Sequence, residues 1–152
     1  MKKVKLTDGI IALALGAVAA VLYFCSLAGY AYPGESAHLT VIWQGLDTEP
    51  FHRYPLMASF ARLFGAGNVL APVCGALAAM LVYVFVVSLM RHRIKGDETE
   101  GFATRASRFG GLVAAVVFLM NPAVRSAASH LEPRLFDVTW ALAADQIGRA
   151  HV

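Results

Sequence analysis

The chain has 152 residues, of which 58% are hydrophobic and 15% charged, and its mean hydropathy is +0.60. A soluble domain usually carries about 25% charged residues, and here the apolar residues run in long blocks instead of alternating with polar ones, which is a membrane pattern. The formal net charge of +3 sits at the block ends and builds no basic helix face, so the balance is not a nucleic-acid footprint and no nucleic-acid partner is expected.

The first block opens with Lys2, Lys3 and Lys5 and continues as the apolar run Ile10 to Ala28. A signal peptide is the competing reading, but the run is long for one and Leu27-Ala28-Gly29-Tyr30-Ala31 is a weak cleavage site. An uncleaved first transmembrane helix is preferred. Its lysines place the N-terminus in the cytoplasm and residues 29–67 on the outer face.

Within that outer loop, Gly34 to Gln44 reads as a short helix with Leu39 and Trp43 on its apolar side and Glu35 and His38 on the other. Tyr54 to Phe64 reads as a second, with Leu56, Phe60, Leu63 and Phe64 in one stripe. Both are too short to cross a bilayer and suit the interface, where Tyr30, Tyr32, Trp43 and Tyr54 would serve as aromatic anchors. Asp47 and Glu49 read as a solvated turn.

Val69 to Met90 is the second span, with Pro72 near its outer end and Gly75 and Ala79 forming a small-residue face for a neighbouring helix. Arg91-His92-Arg93-Ile94-Lys95 closes it on the positive side. Gly96 to Arg108 reads as a charged, solvated connector. The apolar run Phe109 to Met120 is short, and it crosses only if its helix begins near Phe102 or continues past Val124. Asn121-Pro122 marks a turn on the outer side, Glu132 and Arg134 return ionisable groups to that face, and Thr139 to Ala144 opens a fourth span. Cys25 and Cys74 lie inside apolar blocks and read as packing residues.

The sequence therefore predicts an all-α integral membrane protein. Three transmembrane helices are expected at about 10–28, 69–90 and 105–124, and the start of a fourth at about 135–146. Two short amphipathic interfacial helices would occupy the first outer loop. Residues 147–152 can be encoded by ATC GGA AGA GCA CAC GTC, which is similar to a sequencing-library adapter. Residues 1–146 are then the native part of a longer membrane domain, and His151 and Arg149 carry no functional meaning.

Gly34-Glu35-Ser36-Ala37-His38-Leu39 and His52-Arg53-Tyr54-Pro55-Leu56 resemble two elements of a bacterial family of protein O-mannosyltransferase-like membrane proteins in the GT-C glycosyltransferase superfamily. That family carries a Gly-Asp-Ser-Gly-Glu-Leu element after its first span, and a His-Pro-Pro-Gly-Tyr-Pro-Leu element leading into an interfacial helix. It also has an Ala-Glu-Val-Tyr-like element after the third span, which Leu131-Glu132-Pro133 resembles. The departures are Glu35 for the family's Asp, Ala37 for a glycine and His38 for the second acid. Since a base must come within about 2.6–3.2 Å of its proton, one extra methylene at Glu35 retunes or disables such a site.

The resemblance implies transfer of a sugar from a polyprenyl-phosphate donor to an unidentified acceptor at the outer face of the bacterial inner membrane. Glu35 would be the catalytic base. His38, His52, Arg53 and Tyr54 would lie on the substrate side near the departing phosphate, and Glu132 and Arg134 would be further substrate contacts. The cofactor is unknown: a divalent cation fits the chemistry, but no ligand spacing in the sequence indicates one. The residues alone also allow a plainer reading. Glu35 is then an N-terminal helix charge worth about 0.3–1 kcal/mol, Arg53 contacts anionic lipid, and the chain is a non-catalytic membrane protein or part of a transporter or assembly factor. Walker, Rossmann and zinc spacings are all missing, which leaves soluble enzyme classes without support.

Overall fold

A computed structural model of the chain describes residues 6–27, 41, 67–94, 100–130 and 133–150. Five helices account for nearly all of these residues: α1 (Leu6–Cys25), α2 (Gly67–Arg93), α3 (Glu100–Met120), α4 (Pro122–Ser129) and α5 (Pro133–Ala150). Among the described residues there is no strand. Three helices are long and apolar enough to cross a membrane, over Leu6–Cys25, Val69–Arg93 and Gly101–Met120. The 20 residues of α1 rise about 30 Å, one hydrocarbon thickness. The protein is an all-helical, multi-pass membrane protein.

α2 is the central element, packed against α1, α3, α4 and α5. Two apolar clusters fix the directions of its neighbours. One gathers Ala19 and Tyr23 of α1 with Leu70, Cys74 and Ala79 of α2, Leu119 of α3, Ala128 of α4 and Leu135 and Phe136 of α5. The other gathers Ala12, Tyr83, Val87 and Ala115. The end of α1 thus meets the start of α2, and the end of α2 meets the start of α3, so the three spans run antiparallel in sequence order.

Small residues make the close approach. A Cβ at Gly75 would stand 2.8 Å from the Tyr23 ring and 2.9 Å from the Ala128 Cβ, and one at Gly111 would meet Val87 at 2.7 Å. Gly16 faces Met80 in the same way. Lipid tails are as apolar as leucine, so spans associate through such packing and not through exclusion of water. The small-residue face expected at Gly75 and Ala79 is present, and both residues are buried.

The third span is shifted along the chain, with the start near Phe102 that a crossing of this short run requires. The helix begins at Glu100 instead of about 105, and it ends at Met120 instead of about 124. For residues 100–108 the reading as a solvated connector is corrected with it, because Ser107 is fully buried and Arg108 is tied into the bundle, while 96–99 lie outside the described residues. Polar side chains can join the helix there because they are satisfied inside the fold: Ser107 Oγ donates to the Thr104 carbonyl at 3.0 Å, and Arg108 reaches a carboxylate. The turn at Asn121-Pro122 is present. Asn121 caps α4 by accepting from Ala123 N–H at 2.9 Å, and Pro122 stands at the first helical position, where its missing N–H costs no bond.

The expected opening of a fourth span falls in α5, which runs down α2 from the Ala128 end; its Thr139 hydroxyl donates to the Cys74 carbonyl at 3.2 Å and to its own Leu135 carbonyl at 2.7 Å. The helix is not among the three of membrane-crossing length and apolarity. The two interfacial helices expected at 34–44 and 54–64 lie outside the described residues.

Candidate functional site

The ionisable centre of the described structure is Asp8, in the first turn of α1. Its side chain is 1% exposed, and both carboxylate oxygens are engaged: Oδ2 by Arg91 Nη1 at 2.8 Å and Oδ1 by Arg108 Nε at 2.7 Å. Arg91 lies in the last turn of α2 and Arg108 in the early part of α3, so one carboxylate joins all three spans at one end of the bundle. Two of these placements also suit the helix dipoles, an acid at the start of α1 and a cation at the end of α2.

Among the described residues the arrangement carries more positive than negative charge. One carboxylate faces two guanidiniums, whose side chains are 10% exposed for Arg91 and 26% for Arg108. Arg91 Nε and Nη2 are buried without a hydrogen-bond partner, and so is the hydroxyl of Tyr83, which feels the charges of Asp8, Arg108 and Arg91. Arg93 and Arg105 lie exposed at this same end. Chemically the cluster can hold helices together and attract an anion.

The opposite end packs through apolar and aromatic side chains, with the polar residues Arg125, Ser129, His130 and Arg134 beside them. Tyr23 is buried against Gly75, and its hydroxyl has no partner. Between α2 and α5 runs a partly open groove of about 350 Å³, lined by apolar side chains including Leu70, Leu77, Phe136 and Trp140, with Cys74 and Thr139 beside them. Cys74 is buried and Cys25 exposed, and both are free thiols.

Of the residues expected to form a site, Glu35, His38, His52, Arg53, Tyr54 and Glu132 lie outside the described residues. Arg134 is described, and it stands exposed in the first turn of α5. Among the described residues no group of three or more His, Cys, Asp or Glu side chains gathers that could hold a metal. The local sequence pattern gives Asp8 no role, Arg91 a flanking charge and Arg108 a place in a charged connector. A signal was present: a single acid at the start of the first apolar block, and arginines at the end of the second and the start of the third. In spans of alternating direction those three borders coincide.

Comparison of the chain with protein families, with curated proteins and with solved structures finds no match.

Proposed function

We propose that this chain is part of a multi-span glycosyltransferase of the bacterial inner membrane, with its N-terminus in the cytoplasm, moving a sugar from a polyprenyl-phosphate carrier to an acceptor at the outer face. The observation that carries the proposal is the pair of elements Gly34 to Leu39 and His52 to Leu56, set between two antiparallel spans. Because α1 ends where α2 begins, the chain between them leaves and re-enters the bundle at the end opposite the arginine cluster. Basic residues on the cytoplasmic side are the usual bias of membrane proteins, and Arg91, His92, Arg93, Arg105 and Arg108 all belong to that one end.

In this reading Glu35 takes the acceptor's proton. Arg53 and the histidines His38 and His52 hold the phosphate that leaves, arginine being suited to it because its fork binds two oxygens at once. Sugar transfer from a polyprenyl-phosphate donor, measured in membranes carrying the gene that encodes the chain, is expected to fall about 10²-fold or more in Glu35→Gln. Undiminished transfer removes Glu35 from the mechanism.

A second reading, a non-catalytic membrane scaffold, is favoured by the use of Asp8 and Arg91 to tie helices together. A transporter gains less, since its ionisable residues belong at mid-membrane depth and Asp8 lies in a first turn. Absence of transfer in the wild-type membranes would favour the scaffold.

A further inference from the structure

We propose that the arginine end of the bundle binds a phosphate-type oxyanion, with the side-on fork of Arg91 as its principal donor and Arg108 as the second cation. The first observation is stoichiometric. Among the described residues, Asp8 is shared by two guanidiniums, an excess of positive charge where an uncompensated charge is costly. A bound anion would neutralise it.

The second observation is geometric. Arg91 spends only Nη1 on Asp8. Its Nε and Nη2, the two nitrogens of the side-on fork, are buried and have no partner on a side chain that is 10% exposed. That fork is the edge of a guanidinium that takes two oxygens of one phosphate in parallel. Asp8 does not compete for it. By holding Arg91 Nη1 and Arg108 Nε, the carboxylate fixes both cations and leaves the fork to another acceptor.

The third observation distinguishes the class of anion. Near Arg91 stand a second guanidinium, bonded to the same carboxylate through Nε, and the unpartnered hydroxyl of Tyr83, which lies within electrostatic reach of both arginines. Several donors carried on separate side chains suit the many oxygens of a tetrahedral oxyanion better than the two of a planar carboxylate. Two sources supply that chemistry at the end of a span, the phosphodiester of an anionic lipid headgroup and free phosphate. The charges of Arg93 and Arg105, exposed at the same end, would draw in either.

The test uses the full chain in nanodiscs of phosphatidylcholine alone, of phosphatidylcholine with phosphatidylglycerol, and of phosphatidylcholine with added inorganic phosphate. Thermal unfolding and native mass spectrometry of retained lipid are read for each. The proposal expects a raised unfolding midpoint with phosphatidylglycerol if the ligand is a headgroup, or with phosphate if it is the free ion. Arg91→Lys keeps the charge but lacks the fork, and binding should weaken about tenfold, the size of one charge-assisted hydrogen bond. Arg108→Gln should weaken it similarly, with helicity by circular dichroism unchanged in both variants. Asp8→Asn removes the compensating charge and should depend on the anion for its stability, which a clasp without a ligand would not do. No shift in either arm, or a shift of wild-type size in Arg91→Lys, overturns the proposal.

Discussion

The two ends of this bundle hold the same three spans together by opposite means. At one end Gly75 lets the Tyr23 ring and Ala128 approach the α2 backbone, and the contact is all shape. At the other a single buried carboxylate reaches two arginines, one of them a hundred residues away in sequence. The difference teaches how each end responds to change. A packed end loses stability when atoms are added. An ionic end loses it when one partner is taken away, because the remaining charge stays behind in a poor solvent.

The largest effect is therefore expected at the ionic end. Asp8→Ala strands two guanidiniums, and unfolding in bicelles should show a loss of about 3 kcal/mol. This is the lower part of the range for broken buried pairs, because Arg108 is 26% exposed and can turn outward. Replacing Asp8, Arg91 and Arg108 together with leucine or methionine should cost far less than Asp8→Ala, since a whole ionic group often exchanges with apolar packing at little cost. A triple variant as unstable as the single one would break the comparison.

At the packed end, Gly75→Val should cost about 1–3 kcal/mol in the same assay, the usual penalty for overpacking. The nearest atoms include the Cβ of Ala128, which cannot swing aside as a long side chain would. Gly9, with open space around its Cβ position, is the matched control and should accept alanine without loss.

Smaller still is Thr139→Val, which removes the bond from α5 to the Cys74 carbonyl. Hydrogen bonds between helices in membranes average about 0.6 kcal/mol, and a loss of that order is expected. Smallest is Tyr23→Phe, which deletes a buried hydroxyl that has no partner; the change should be neutral or slightly stabilising. Measurable destabilisation by Tyr23→Phe would show that the hydroxyl is bonded in the membrane and that the apolar end has a polar tie of its own.

The spans were legible because Ile10 to Ala28 and Val69 to Met90 are continuous apolar runs, and periodicity needs nothing else. The third span was harder to place. Its first residues, Glu100 to Arg108, look solvated when read locally, yet they are helical and Arg108 joins the bundle through a partner on another helix. Asp8 was overlooked for the same reason. Its meaning lies in a pairing across distant segments that no local window contains, although the alternation of span directions brings all three charges to one border. The proposed catalytic and substrate-contact residues were legible only through short motifs on the outer face. Arg134 is the one of them in the described structure, where it is exposed.

The central claim is that Asp8 binds the spans to one another through its arginines, and a double-mutant cycle between Asp8→Ala and Arg91→Ala tests it most directly. Unfolding free energies of the wild type, both single variants and the double variant should give a coupling of at least about 1 kcal/mol, well outside the 0.3–0.5 kcal/mol scatter of independent sites. Additive losses within that scatter would contradict the account and leave the three spans held by their small-residue packing alone.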